Sequence, residues 1–290
     1  MEPLCFKVPM QTEESVRVEY WDQTTFFNPI HYHDECQLTY VLNSEGMLFV
    51  GNRLVRFAKE ELYLIGKNLP HVFKNDELYS KGKVNCKARA ISVFFSSDIF
   101  KNMFGDLSEF NHLNKLLEDS SMGIRLIGKE AKRFESSMKS LLRLNGFARV
   151  MCLLDILNRI YLDQTTEHIS PRIHFPLDQD DRFKLNKVFD YTILHHQDKI
   201  TLKDIASLVN MAPTAFCRYF KLRTHKTYSQ FLIEVRISKA TKMMNEKSLN
   251  VSEACYSSGY NNISNFHRHF KRLTGMTPSK FKRRFVSSEA

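Results

Sequence analysis

The chain lacks the features that mark several large classes of protein. No stretch approaches the ~20 consecutive apolar residues that a membrane-spanning helix requires. The six cysteines, at positions 5, 36, 86, 152, 217 and 255, form no CxxC pair, so they indicate neither a zinc knuckle nor a disulfide framework. The first residues lack the basic start and apolar core of a signal peptide. We therefore expect a cytoplasmic protein that does not attach to a membrane.

Catalytic motifs are missing as well. The sequence contains no Gly-x-Ser-x-Gly turn, no glycine-rich phosphate loop and no pair of carboxylates at a spacing that suggests acid-base chemistry. We expect no enzymatic activity, no catalytic residue and no cofactor.

Basic residues, by contrast, are in excess at one end of the chain. There are 42 Lys and Arg residues against 32 Asp and Glu, a formal charge of +10. Residues 1–177 carry 22 basic and 22 acidic residues, whereas residues 178–290 carry 20 and 10. Between Lys199 and Val286 the counts are 17 and 4. This distribution is expected of a surface that displaces counterions from phosphates, and a solvated basic face is the alternative.

The same basic region contains a duplicated segment. Residues 215–232 and 265–282 align with 8 identities in 18 positions, which include the pattern Phe-x-Arg-x-Phe-Lys. Upstream, Thr201 and Asn250 can each cap a helix start, with an acidic residue three positions later. Turns that contain Asn210 or Gly259 follow. We predict two helix-turn-helix units, over about 201–224 and 250–274.

The second helix of each unit is predicted to present a polar row outward. Its two phenylalanines lie four residues apart and face inward, so that residues at the i, i+3, i+4, i+7 spacing face solvent and can enter a groove. The outward residues are Thr214, Cys217, Arg218 and Lys221 in the first unit, and Ser264, His267, Arg268 and Lys271, with Asn265 beside them, in the second.

The N-terminal part of the chain has a different pattern. Apolar runs separated by turns every 8 to 12 residues predict a β sandwich or barrel over residues 1 to about 100. The clearest runs are Leu38 to Leu42, Met47 to Val50, Leu62 to Ile65 and Ala90 to Phe95. From about 126 to 162 the apolar period is helical, with a break at Asn145-Gly146, which predicts two antiparallel helices. These helices could be core of their own domain or a dimer seam; their many apolar residues favour the seam.

The C-terminal region resembles the AraC-type bacterial transcription regulators over about 90 residues. The motifs that carry the resemblance are Ile205-Ala206, Phe216-x-Arg218-x-Phe220-Lys221, Ile237-x-x-Ala240, Gly259-Tyr260, Ser264-x-Phe266-x-Arg268-x-Phe270-Lys271 and Thr274-Gly275-x-Thr277-Pro278. A more diffuse similarity to the family's cupin-type sensor domain lies at His31-x-His33, Leu38 to Gly46 and Asn68 to His71.

The resemblance implies an α+β multidomain fold. A cupin-like β-barrel or jelly roll with a helical pair would precede an all-α domain of seven helices with two helix-turn-helix motifs. The implied segments are a sensor domain at 1–104, a helical dimerisation segment at 105–165, a linker at 166–180 and a DNA-binding domain at 181–287. A helix around Tyr228 to Glu246, about 28 Å long, would join the two units. That length is close to the ~34 Å between successive major-groove faces on one side of B-DNA.

The resemblance also implies individual roles. Base contacts carry over to Thr214, Cys217, Arg218, Ser264, Asn265, His267 and Arg268. Lys221 and Lys271 lie one turn later and suit phosphates, which position a protein without reading sequence. Three alternatives remain open: the arginines could brace their own domain through acidic neighbours, Cys217 could fill apolar space, and His267 could simply face solvent.

Two departures from the family pattern concern the first unit. Ala212 followed by Pro213 stands where the family usually has a capping Ser, and His225 stands where Gly usually ends the recognition helix. Proline is acceptable at a first helical position. A non-glycine residue at the C-cap costs about 1 kcal/mol if its φ is positive, so we expect the second unit to read sequence more specifically.

Five N-terminal residues are candidate ligand contacts: His31, His33, Gln37, Tyr40 and His71. His31 and His33 would face one side of a strand, and His71 follows Pro70. Enzymatic cupins usually place Glu after such a His-x-His pair, but here Gln37 matches that position, with Glu35 nearby. We therefore predict a ligand pocket and no metal site; a metal site and structural hydrogen bonding are the alternatives.

The sequence as a whole predicts a DNA-binding transcription regulator, more an activator than a repressor by family resemblance. Its partners would be double-stranded DNA, RNA polymerase, a second copy of the chain and a small effector such as a sugar or another polar metabolite. The alternative is a cupin-type metal-binding enzyme with an appended DNA-binding module.

Overall fold

A computed structural model describes residues 15–26, 30–76, 79, 87–104, 107–163, 165–171, 179–246 and 249–286. The chain divides into two compact domains, residues 1–182 and 183–290. Within the predicted linker, residues 172–178 lie outside the described ranges.

The N-terminal domain is built on two antiparallel sheets. Its described strands are β1 Val16–Gln23, β2 Cys36–Asn43, β3 Gly46–Val50, β4 Arg53–Phe57, β5 Leu62–Ile65, β6 His71–Asn75, β7 Ala88–Phe95, β8 Ile124–Leu126 and β9 Glu167–His168. One sheet has the order β1-β7-β2-β5-β8-β9 and the other the order β4-β3-β6. The four predicted runs coincide with β2, β3, β5 and β7, so the β prediction is confirmed there; β1, β4, β8 and β9 were not predicted.

The central strands are buried on both faces, which explains their nearly continuous apolar sequence. On one face, Val41, Tyr63 and Ile65 of the larger sheet pack with Leu48 and Phe73 of the smaller sheet. The opposite face of the larger sheet is covered by helices. Each central strand therefore contributes to two apolar cores.

The described residues of this domain include five α-helices: α1 Ser97–Phe104, α2 Asn111–Asp119, α3 Gly128–Lys132, α4 Glu135–Leu141 and α5 Gly146–Leu162. The predicted break is confirmed, because Asn145 precedes the first residue of α5. The first predicted helix is instead two short helices, α3 and α4, separated by a turn at 133–134. Helix α1 was not predicted, and α2 lies within the helical segment predicted at 105–165.

The apolar residues that favoured a dimer seam are mostly core of their own domain. Phe134, Met138, Leu153, Leu157 and Ile160 are fully buried against the larger sheet. Their number therefore does not indicate a seam, and the dimerisation segment at 105–165 stays a prediction. A dimer surface, if it is on these helices, must use other residues.

Seven helices form the C-terminal domain in its described residues: α6 Gln179–His195, α7 Leu202–Leu208, α8 Pro213–Thr224, α9 Tyr228–Glu246, α10 Val251–Ser257, α11 Ile263–Thr274 and α12 Pro278–Val286. The predicted bounds of the connecting helix, α9, match those observed. Helices α7–α8 and α10–α11 are the two predicted helix-turn-helix units.

Each unit has its own apolar core. In the first, Phe189, Phe216, Phe220, Tyr228 and Phe231 form one aromatic cluster, with ring centroids 4.5 to 6.4 Å apart in the contacting pairs. In the second, residues from α9, α10 and α11 pack together; they are Ile237, Ala240, Met244, Ala254, Cys255, Tyr260, Phe266 and Phe270.

No helix in the described part of the chain is long and apolar enough to cross a membrane.

Two glycines in this domain provide a matched test of the packing. Gly259 and Gly275 both have positive φ, of 88° and 75°. A Cβ at Gly259 would lie 2.4 Å from the carbonyl oxygen of His196, whereas one at Gly275 would have no atom within 4 Å. Gly275→Ala should lower the free energy of unfolding by about 1 kcal/mol, from backbone strain alone. Gly259→Ala should lower it by about 1–3 kcal/mol more, because the neighbouring backbone must also move. Urea unfolding of the full chain, followed by helical circular dichroism, measures both. Equal losses would contradict the close approach at Gly259.

Candidate nucleic-acid interface

The first helix of each unit begins with the predicted cap. The backbone N–H of Asp204 donates to Thr201 Oγ1 at 3.2 Å, and the N–H of Thr201 donates to Asp204 Oδ2 at 2.9 Å. Asn250 and Glu253 form the same reciprocal pair, at 2.9 and 2.7 Å. Hydrogen bonds from the Thr201 side chain and backbone hold the pKa of Asp204 below its usual value. Both capping boxes are confirmed.

The turns and the ends of the recognition helices also follow the sequence. Asn210, like Gly259, has positive φ, at 54°. Pro213 occupies the start of α8, which has no side-chain cap, while Asn262 caps α11 by accepting from the N–H of Asn265 at 2.9 Å. His225, the C-cap of α8, has a φ of 52°. The expected cost of about 1 kcal/mol at a non-glycine C-cap therefore applies to the first unit.

The nine predicted contact residues all lie on exposed surface. In α8 these are Thr214, Cys217, Arg218 and Lys221, and in α11 they are Ser264, Asn265, His267, Arg268 and Lys271. The four phenylalanines on the opposite faces, at 216, 220, 266 and 270, are completely buried. The assignment of inward and outward faces is confirmed, and the DNA contacts themselves remain predictions.

The arginines do not brace the domain through acidic neighbours. Within the described residues neither Arg218 nor Arg268 pairs with a carboxylate. Arg268 instead donates from Nη2 to Asn265 Oδ1 at 2.9 Å. This hydrogen bond joins the side chains of two of the predicted base contacts. Each recognition helix carries three basic residues and no acidic one, which leaves its exposed face strongly cationic.

One arginine links the two units, and no sequence motif indicates this role. Arg236, in the middle of α9, donates from Nε to the carbonyl oxygen of His196 and from Nη2 to that of Asp198, both at 2.8 Å. Its guanidinium also lies 6.0 Å from the centre of the Tyr260 ring. Burial lowers the pKa of Arg236. Because the backbone at Gly259 approaches the same His196 carbonyl, the loop before α7 and the turn before α11 are held together.

A second unpredicted contact supports the second recognition helix. The Tyr260 hydroxyl lies 3.0 Å from His269 Nδ1, which ties the turn to α11. Burial, with Arg272 and Arg268 nearby, lowers the pKa of His269, so this ring is neutral at pH 7. Burial also raises the pKa of Tyr260 to about 12. His269 therefore adds no charge to α11 at pH 7.

The N-terminal domain contains a cavity of about 80 Å³. Its apolar walls are Trp21, Phe26, Phe73 and Phe94, and its polar side chains are Glu19, His31, Gln37, Thr39 and Ser92. Only His31 and Gln37 of these were predicted. Of the others, Phe26 and Phe73 lie outside β1, β2 and β7, whereas the remaining wall residues alternate along these three strands; this alternation indicates a shared wall only when the strand pairing is known.

The other three candidate ligand residues lie elsewhere. Tyr40 is on the opposite face of β2 from Gln37 and Thr39, buried in the helix-covered core, so its prediction as a ligand contact was wrong. The side-chain period of a strand is two, which separates positions 37 and 40. His33 and His71 are buried next to Gln37 rather than in the cavity wall. Residues 32 and 33 are not in a strand, and His31 forms an isolated bridge with His71.

The three histidines nevertheless come together. Each offers a ring nitrogen, and these nitrogens all lie within 4.8 Å of one another. His33 Nε2 and His71 Nε2 lie 3.1 and 3.0 Å from the same atom, Gln37 Oε1. Burial, with His31 and His33 adjacent, holds the pKa of His71 well below its usual range, so its ring is neutral at pH 7.

Two helix-turn-helix units with cationic recognition helices on one connecting helix define a double helix-turn-helix DNA-binding protein. A helix-turn-helix domain family matches residues 205–284. The HTH-type transcriptional regulator GadX of Escherichia coli (strain K12) is 30% identical over 246 residues, 81% of this chain and 86% of GadX. The uncharacterized HTH-type transcriptional regulator YdeC of Bacillus subtilis (strain 168) is 25% identical over 284 residues, 88% of this chain and 86% of YdeC. The chain belongs to the AraC-type family, and its function is that of a DNA-binding transcriptional regulator.

Proposed function

We propose that the protein binds its operator by inserting α8 and α11 into successive major grooves on one face of the duplex. This proposal is based on the hydrogen bonds of Arg236, which hold the two units together across α9. A connecting helix of 19 residues is about 28 Å long, close to one turn of B-DNA. A slight bend of the duplex would bring both helices fully into the grooves.

Within each recognition helix, base reading and phosphate binding fall to different residues. Arg268 can pair bidentately with guanine O6 and N7, and Asn265 can do so with adenine. Their mutual hydrogen bond holds the two side chains in a common orientation before DNA arrives. In α8 the residues proposed to contact bases are Thr214, Cys217 and Arg218. In α11, Ser264 and His267 join Asn265 and Arg268 in this role. Lys221 and Lys271 bind phosphates.

The N-terminal domain is proposed to be a cupin-like sensor for a small polar metabolite. Support comes from the two antiparallel sheets packed face to face and from the cavity between aromatic walls with a few polar groups. Binding sites for small molecules commonly have this composition. Ligand binding would alter dimer geometry or DNA affinity. Activation through contact with RNA polymerase is the mode of regulation that the family implies.

A dimer surface is proposed on the exposed side of α5. Phe147 and Met151 are 79% and 50% exposed, and Leu154, Asn158 and Tyr161 continue the same row at spacings of three and four residues. This is the spacing of a coiled-coil seam, in which one polar residue such as Asn fixes the register. A dimer would double the half-sites held on DNA.

The alternative function is that of a metal-binding enzyme. A specific observation favours metal binding, but none favours catalysis. That observation is the cluster of three histidines.

Substitution of one arginine and one lysine in α11 tests the operator proposal. On a DNA site selected from random sequences, Arg268→Ala should weaken the binding free energy by about 1–3 kcal/mol, because a bidentate base contact is lost. It should also relax the base preference at one position of the site. Lys271→Ala should weaken selected and shuffled duplexes alike and reduce the salt slope by about 1. Fluorescence anisotropy of the full chain over a range of salt concentrations measures both. Lys129→Ala, at an exposed lysine of the N-terminal domain, is the control and should change neither quantity. Equal losses on both duplexes for Arg268→Ala would refute its role in base reading.

The dimer surface is tested by placing a charge in the apolar row. Met151→Asp should convert dimer to monomer in sedimentation experiments, because a carboxylate would be buried without a partner at the seam. Leu107→Asp, at an apolar side chain of the same domain that is 48% exposed, should leave the dimer intact. A monomeric wild type, or a Met151→Asp variant that remains dimeric, would contradict the proposed surface.

A further inference from the structure

We propose that His31, His33 and His71 bind a divalent first-row transition-metal ion, with Gln37 as the adjacent oxygen ligand. The site lies in the N-terminal domain and goes beyond DNA binding. It rests on the direction in which the ring nitrogens point, on burial and on the position of one amide side chain.

The hydrogen bonds of two histidines determine which nitrogen is available. His33 Nδ1 lies 2.8 Å from the carbonyl oxygen of Glu35, and His71 Nδ1 lies 2.8 Å from that of Leu69. A carbonyl oxygen can only accept, so each Nδ1 carries a proton, and in the neutral form of each ring the lone pair is on Nε2. Metal-binding histidines are typically oriented in this way, with the second nitrogen donating to a carbonyl or carboxylate group.

These lone pairs converge on one point. Both Nε2 atoms lie close to Gln37 Oε1, at 3.1 and 3.0 Å, and the His31 ring is centred 4.4 Å from the ring of His71. Lone pairs that face a carbonyl oxygen repel it unless a positive group lies between them. A metal ion at this point would bind the nitrogens and the oxygen together.

The same geometry also explains how the site is stable without a metal. If the Gln37 amide is reversed, its two N–H groups donate one bond to each Nε2, and its oxygen accepts from the hydroxyl of Thr39, which lies 2.8 Å away. Gln37 would therefore occupy the metal position in the apoprotein and turn its oxygen toward the ion in the metal-bound form. Because Gln37 also lines the cavity, metal binding would alter the surface that a small ligand meets.

The ligand set indicates the class of ion. Neutral imidazole nitrogens suit Zn²⁺, Ni²⁺, Cu²⁺ and Fe²⁺, whereas Mg²⁺ and Ca²⁺ prefer oxygen ligands. Three histidines and Gln37 complete a tetrahedral set of ligands, so a further position is open only on an ion that takes five or six ligands. That position would be available to a ligand with an oxygen donor.

Titration of the full chain with Co²⁺, after treatment with a chelator, tests the proposal, because Co²⁺ absorbs visibly when nitrogen ligands surround it. We expect one ion per chain, displaced by Zn²⁺. His31→Ala, His33→Ala and His71→Ala should each weaken binding about 100-fold or more, since loss of even an outer-shell partner costs 10–100-fold. The control is His168→Ala, at an exposed histidine of the same domain, which should bind like the wild type.

Gln37→Glu separates metal binding from a purely structural role. A carboxylate is a stronger ligand than an amide for a divalent ion, so this variant should bind Co²⁺ more tightly than the wild type. A wild-type chain that binds neither Co²⁺ nor Zn²⁺, or affinity that survives both His33→Ala and His71→Ala in folded protein, would overturn the site. So would weaker binding by folded Gln37→Glu. None of these measurements involves DNA, so their failure would leave the operator proposal standing.

Discussion

Helix α9 is the element on which the DNA-binding domain depends, because it contributes to the cores of both units. Near its N-terminus, Tyr228 and Phe231 complete the aromatic cluster of the first unit. Further along, Ile237, Ala240 and Met244 pack under the second. Burial of one such side chain contributes about 1.5–3 kcal/mol, so neither unit can detach from α9 without losing much of its core. The separation of the recognition helices is therefore fixed by a helix of constant rise.

Packing along α9 does not by itself fix the relative rotation of the units. The contacts of Arg236 supply that constraint, since its guanidinium holds two carbonyl groups of the loop before α7 and lies against Tyr260 of the second turn. The glycine at 259 permits the close approach of the same backbone segments. A rigid pair of recognition helices loses little conformational entropy on binding, so more of the electrostatic attraction between the basic helices and phosphate contributes to affinity.

Features that depend on neighbouring residues in the sequence could be predicted from it. The capping boxes and the turns at Asn210 and Gly259 follow from local chemistry and from the repeat, which provided two copies of each signal. The bounds of α9 and the C-cap position of His225 were instead implied by the family resemblance. The cavity could not be predicted in the same way. Its walls include residues of β1, β2, β6 and β7. The wall residues of β1 and β2 pair with those of β7 across more than fifty positions of sequence, and this pairing has no local signal. Tyr40, by contrast, was misassigned although the two-residue period of β2 places its side chain on the opposite face from Gln37. Arg236 was missed because its partners are carbonyl groups, which every residue has.

The central claim is that α8 and α11 occupy successive major grooves on one face of a single duplex. Hydroxyl-radical footprinting of the full chain on a selected site measures this arrangement directly. The account predicts two protected segments about 10 base pairs apart on the same side of the helix. Protection of one segment only, or of segments on opposite sides, would contradict it.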